Sequence, residues 1–158
     1  MKGKKDINVI TTGSEKAKLT ALFGVTAANT RLPLLVILKG NRVPAFVKNM
    51  EDETLKIYSN DSAWMTEEIF LDWIDKIWKP HSSRFERSLL VMDMFRAHKT
   101  QLVMTKLEEC RTDVLIIPVG LTYYCQPVDV YINKSVKQRV RQLWQDYMTT
   151  QQQNNPSI

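Results

Sequence analysis

A short apolar run, Leu89-Leu-Val-Met92, stops on an acid, Asp93. Consecutive apolar residues bounded by polar ones read as a fully buried strand. An acid at its end sets a carboxylate on the rim of a sheet, and in open α/β sheets that rim is where ligands bind. A second run, Val114 to Ile117, is stopped by Pro118 and Gly120 and leads through a loop to Gln126-Pro-Val-Asp129, where a basic helix begins. Buried strands alternating with helices need crossover connections, so the chain is expected to form an α/β mixed sheet with flanking helices.

The rest of the chain fits around that frame. Ile7 to Thr12 alternates like a strand, and Thr12-Gly13-Ser14 is a turn. Leu19 to Ala27 and Leu32 to Leu38 read as an antiparallel hairpin joined at Asn29-Thr-Arg31, with Pro33 at the first positions of the returning strand. Val43 to Glu53 reads as loop with a short helix, and Thr54 to Ser59 as a short edge strand. Thr66 is an N-cap, with Glu67 and Glu68 in the first turn facing the helix dipole. Ile69, Phe70, Trp73, Ile74, Ile77 and Trp78 then make a core-facing stripe, ended before Pro80. Trp64 is expected to cap the core end. Lys99 to Cys110 is a helix. The last helix spans about 130–147, with Ile132, Val136, Val140, Leu143, Trp144 and Tyr147 as its stripe. Residues 1–148 are read as one domain, and 149–158 as a polar tail, frayed from Gln151.

At 158 residues the chain is long enough for a real core. No apolar run approaches the roughly 18 residues of a membrane span. The N-terminus lacks the apolar region of a signal peptide, which makes an intracellular location the default. Cys110 and Cys125 have no metal-ligand spacing and read as free thiols. No Gly-rich phosphate loop or zinc-binding Cys/His set is present. The net charge of +5 matters less than its distribution. Lys134, Lys137, Arg139 and Arg141 cluster after Asp129, lysines cluster at the start, and Glu51 to Asp75 is acidic. That asymmetry suits a nucleic-acid-facing edge, or simply a solvated helix face.

Asp93 and Asp129 could share divalent metal. Two Mg²⁺ or Mn²⁺ ions roughly 4 Å apart activate a nucleophilic oxygen and stabilise a leaving one in phosphoryl transfer. Two acids are thin for this, because several negative charges are needed to offset the repulsion of two such ions. The alternative is a strand-end acid in a hydrogen-bond network and an N-cap of the last helix. His98 could contact phosphate or a metal-bound water, or be a structural histidine. Arg96 could reach phosphate or solvent, and Gln126 could orient the loop before Asp129.

Ile117-Pro-Val-Gly-Leu-Thr-Tyr-Tyr-Cys-Gln-Pro-Val-Asp-Val-Tyr-Ile-Asn-Lys134 resembles the third-acid motif of pogo/Tigger-type DDE superfamily transposases, I-P-G-G-L-T-x-x-x-Q-P-L-D-V-x-x-N-K. Val91-Met-Asp-Met-Phe-Arg-Ala-His98 resembles their second-acid motif, of D-S-F-R-G-H type. Ala63-Trp-Met-Thr66 with Trp73 and Trp78, Thr11-Thr-Gly-Ser-Glu-Lys16, and the Leu32-Pro33 to Lys39-Gly40 segment are similar to the family's neighbouring elements. The resemblance covers roughly residues 2 to 148. It implies an RNase H-like fold and metal-dependent DNA strand transfer or phosphodiester cleavage. Asp93 and Asp129 would be the second and third metal ligands, with Mg or Mn as cofactor and His98 as the motif histidine. Arg96, Lys134, Lys137 and Arg141 are the expected DNA-backbone contacts. The implied partner is DNA, in the nucleus, with self-association open and neither a membrane nor a small-molecule substrate involved.

The departures bear on activity. The family's first acid lies on the first strand, upstream of a K-G segment that Lys2-Gly3 resembles, and Asp6 does not match it. The chain is therefore expected to lack the first strand and one ligand, and to be inactive by itself, a transposase-derived domain. Val119 stands for a motif glycine, Asn29 falls where a D-G turn is usual, and Met94 replaces a small polar residue. These fit a decaying copy. A domesticated, non-catalytic DNA- or protein-binding module is the alternative.

Overall fold

The computed structural model describes residues 18–126 and 128–154. The strand expected over Ile7 to Thr12, and Asp6, lie outside them. The chain divides into two compact units. One takes in the segment ending at Leu22 together with Leu34–Met65, and the other takes in Phe23–Pro33 and the chain from Thr66 onward.

In the first unit β1 (Leu19–Leu22) pairs antiparallel with β2 (Leu34–Lys39), Leu22 opposite Leu35. This is the expected hairpin, with its first strand shorter than predicted. The connecting segment belongs to the other unit, where Asn29 turns the chain at φ 59°. Asparagine tolerates that left-handed conformation better than most residues. A short helix α1 (Ala45–Lys48) precedes β3 (Leu55–Asn60), which lies parallel to β2 at the sheet edge, in the order β1-β2-β3. Asp52 organises the entry to β3. Its carboxylate accepts from the Thr54 and Leu55 amides at 2.7 and 2.9 Å. Leu35, Ile37, Ile57, Ala63 and Met65 are buried. Trp64 is not. It is half-exposed, with the Lys18 ammonium 3.5 Å from its ring centroid, so its role is a cation–π contact rather than the expected core cap.

The second unit begins with α2 (Glu67–Trp73). Thr66 caps it as expected, accepting from the Ile69 amide at 3.3 Å. The helix does not stop at Pro80. It widens into a π-turn over Ile74–Trp78 and continues as α3 (Lys79–Ser82), with Pro80 in the first turn. Phe70, Trp73, Ile74, Ile77 and Trp78 are buried, and Phe70 stacks on Trp73 with centroids 5.3 Å apart. Burying side chains of this size contributes roughly 1.5–3 kcal/mol each.

β4 (Ser88–Asp93) and β5 (Thr112–Ile117) pair in parallel, Asp93 beside Ile117. Between them lie a 3₁₀ turn (Arg96–His98) and α4 (Gln101–Glu109), capped by Thr100, whose hydroxyl accepts from the Val103 amide. The Trp78 indole donates to the Thr112 hydroxyl at 2.9 Å, tying the helical segment to β5. The fully buried strand expected at Leu89–Met92 is covered on one face only. Met92 is buried, while Leu89 and Val91, on the alternate parity, are exposed, as is Leu115 on β5. After β5 come α5 (Thr122–Cys125), a π-turn (Val128–Ile132) and α6 (Asn133–Asn154). α6 thus extends into the stretch expected as frayed tail. No described helix is long and apolar enough to cross a membrane.

Candidate functional site

β4 delivers Asp93 to the sheet rim, and the next five residues hold it there. The Phe95 amide donates to Asp93 Oδ1 at 3.3 Å, an Asx-type turn, and His98 Nδ1 lies 2.9 Å from the same oxygen. An ionised carboxylate only accepts, so Nδ1 carries the proton. Both bonds fall on Oδ1, and among the described residues Oδ2 has no hydrogen-bond partner. The Asp93 side chain is 39 % exposed. The His98 bond holds its carboxyl below the usual carboxylate range, against partial burial, with a smaller contribution from the Phe95 amide.

His98 is buried, at 7 % exposure. Its ring packs on Phe70, centroids 4.2 Å apart at 34°, and edge-on against Phe95 at 5.4 Å. Its Nε2 is buried with no partner among the described residues. The histidine is therefore a clamp on Asp93, with Nδ1 engaged. The sequence left its role open between a contact to phosphate or a metal-bound water and a structural histidine, and in the structure its Nδ1 is engaged by Asp93. Phe70 and the Phe95 amide were not legible as parts of this site. Phe70 carries only the signal of a core helix position, and a backbone amide carries none.

Asp129 lies on the π-turn Val128–Ile132 that leads into α6, inside a helical turn rather than at an N-cap. Its side chain, and hence its distance to Asp93, lies outside the described residues. The parallel register places the ends of β4 and β5 side by side, so the connection that carries Asp129 leaves from the rim that carries Asp93. Gln126, on that connection, has a buried Oε1 without a partner among the described residues. Arg96 is exposed on the rim turn. Lys134, Lys137 and Arg141 are exposed on α6 and spaced as one row along it. Arg139 lies across the helix and donates to Gln142 Oε1 at 3.3 Å. Among the described residues no group of three or more His, Cys, Asp or Glu side chains is arranged to hold a metal ion.

What is built at the rim is one ionised, half-exposed carboxylate with one oxygen engaged and the other open. A hard, oxygen-seeking divalent ion suits that open oxygen.

Comparisons with known proteins agree with the motifs. The DDE superfamily endonuclease family matches residues 16–157. The Homo sapiens protein "Pogo transposable element with KRAB domain" is 35% identical over 150 residues, 92% of this chain and 24% of that protein. "Pogo transposable element with ZNF domain" from Homo sapiens is 28% identical over 145 residues, 90% of this chain and 10% of that one. "Tigger transposable element-derived protein 4" from Mus musculus is 31% identical over 84 residues, 52% of this chain and 16% of that one. The chain thus spans about a quarter or less of the length of these relatives. No solved structure matches. The strand-end acid, its clamp and the Gln-Pro-Val-Asp segment sit inside a match covering most of the sequence, and the chain belongs to the DDE superfamily endonuclease family as a pogo/Tigger-type, transposase-derived domain.

Proposed function

We propose that the chain is an RNase H-like, DNA-binding domain acting in the nucleus, with the DNA backbone lying along the Lys134–Lys137–Arg141 row and Arg96 as a further phosphate contact. Asp93 and Asp129 are the assigned divalent-metal ligands. The observation that carries this reading is the Asp93 carboxylate at the end of β4, ionised and fixed by His98 with Oδ2 open. Mg²⁺ or Mn²⁺ bound there would supply Lewis-acid activation of a phosphodiester. The residues in hand orient and charge-balance. His98 holds the rotamer of Asp93, as hydrogen-bond partners of metal-binding carboxylates do. The lysines and arginines position phosphate without reading sequence. Two acids are too few to hold an ion pair, so the 158 residues by themselves bind DNA without cutting it.

The test is fluorescence anisotropy with a labelled duplex across a salt series, beside supercoiled-plasmid cleavage in Mn²⁺. Binding should weaken linearly on a log–log salt plot. The triple variant Lys134→Ala/Lys137→Ala/Arg141→Ala should lower the slope by about 0.9 per lost contact. The plasmid should stay intact, and Asp93→Ala should leave DNA affinity unchanged. A wild-type chain that does not bind duplex at low salt, or a triple variant with the full slope, refutes the DNA surface. Mn²⁺-dependent nicking that Asp93→Ala abolishes refutes the non-cutting reading.

A further inference from the structure

The β4–β5 pair has an end remote from Asp93. Asp93 and Ile117 mark one rim, and Ser88 and Thr112 the other, roughly 17 Å away along the strands. At that far end lies a cleft of about 630 Å³. Met104 and Glu108 line it from α4, and Glu86 and Arg87 from the segment before β4. Arg111 to Val114 line it as four consecutive residues, from both faces of the sheet in turn, so the cleft follows the edge of β5 and not one face.

That edge is free to pair. Among the described residues β5 pairs with β4 alone, and no residue of Thr112–Ile117 makes a backbone bond on its other side. Strands at a sheet edge are normally blunted by lysine, proline, a bulge or a cover. Thr112–Ile117 carries no lysine, proline or bulge, and Val114, Ile116 and Ile117 are β-branched, as pairing strands prefer. We infer that the open edge of β5 takes an extended, basic segment of another protein as an added strand.

The cleft sets the charge of that segment. Arg87 is taken by Asp113 through a two-point ion pair. That leaves Glu86 and Glu108, which make no salt bridge among the described residues, against Arg111. Glu108 stands in the last turn of α4, where the C-terminal end of the helix adds partial negative charge. Beside it Met104 and Val114 are apolar and half-buried. A lysine or arginine suits both features, with its methylene stem over Met104 and Val114 and its cationic head at Glu108. In strand addition the main-chain bonds supply affinity and alternate side chains supply specificity. The site uses none of Asp93, His98 or the α6 cations, so it stands apart from the proposed function.

The experiment uses the whole chain and two octapeptides, one alternating lysine with valine and one alternating glutamate with valine. Hydrogen–deuterium exchange over Thr112–Ile117, read by mass spectrometry, reports strand addition. The lysine peptide should slow exchange there and bind about three-fold or more tighter than the glutamate peptide. Glu108→Lys, an exposed change at a helix end that favours cations, should reverse that order with an unchanged circular dichroism spectrum. A lysine peptide N-methylated at every residue has no backbone donors and should give no protection. Failure of the lysine peptide to slow exchange at millimolar concentration overturns the inference. So does a preference that survives Glu108→Lys, or equal protection by the N-methylated peptide. Protection that rises with protein concentration when no peptide is present also overturns it, because a second copy then holds the edge.

Discussion

Thr112→Val tests the tie between the helical segment and the strand pair. The Trp78 indole N–H donates to the Thr112 hydroxyl at 2.9 Å, and that hydroxyl in turn reaches the Cys110 carbonyl at 3.3 Å. Trp78 and Thr112 are 6 % and 7 % exposed, so water cannot replace the lost oxygen without a rearrangement. Valine keeps the shape of threonine and removes both the acceptor for the indole and the hydroxyl donor to the Cys110 carbonyl. The indole N–H is then buried and unsatisfied, which costs about 1–3 kcal/mol. For a chain of this size each kcal/mol moves Tm by about 2–4 °C, so the midpoint should fall by roughly 2–12 °C. Trp78→Phe removes the donor as well as volume, and the double variant should recover about 0.5–3 kcal/mol relative to the sum of the singles. The assay is thermal unfolding followed by far-UV circular dichroism, because tryptophan fluorescence would report on the substituted residue itself. A Thr112→Val chain with wild-type midpoint and slope would refute the buried bond as a determinant of this packing.

Other expectations follow from single features. Asn29, at φ 59°, should tolerate glycine with little change, whereas Asn29→Val should cost about 1–2 kcal/mol, read from the unfolding midpoint; equal midpoints for the two would count against the turn. The folded-state carboxyl of Asp93 is depressed by His98, so the stability it contributes is complete above the unfolded carboxylate value near ~3.9 and is lost as pH falls through the folded value. His98→Ala should therefore raise the Asp93 titration midpoint, measured by carboxyl carbon NMR, and flatten the acid loss of stability; an unmoved midpoint would show that His98 does not hold the charge. Arg87 pairs with Asp113 at the surface, and Arg87→Ala should barely move the midpoint, less still at high salt.

The local signals in the sequence carried well where the physics is local. Thr66 before two glutamates is a cap because its hydroxyl meets an amide three residues on, and both sit in one turn. Trp73 and Trp78 read as core because they share a helical stripe with Ile74 and Ile77. The strand ending at Asp93 was legible for the same reason. Non-local pairing was less so. Nothing in Leu55–Asn60 says that β3 lies parallel to β2, because register depends on where the intervening chain returns. Pro80 reads as a helix stop, yet the π-turn before it lets the helix restart with proline in its first turn. The apolar runs of β4 and β5 say that both faces want cover, but not which element supplies it. Of the candidate site, the acid and the histidine were visible as a five-residue spacing. The bond between them was not, because it depends on a 3₁₀ turn and on Phe70 from a distant helix.

Mn²⁺ binding to the intact chain, followed by loss of the free-ion electron paramagnetic resonance signal, probes the role assigned to Asp93 most directly. Wild type should bind the ion, and Asp93→Asn, which keeps the volume and the hydrogen-bond reach to His98, should lose at least ten-fold in affinity with an unchanged circular dichroism spectrum. His98→Gln should weaken binding by a smaller factor, because it loosens the carboxylate without removing it. Equal Mn²⁺ affinity in wild type and Asp93→Asn would contradict the assignment and leave Asp93 and His98 as a structural pair at the end of β4.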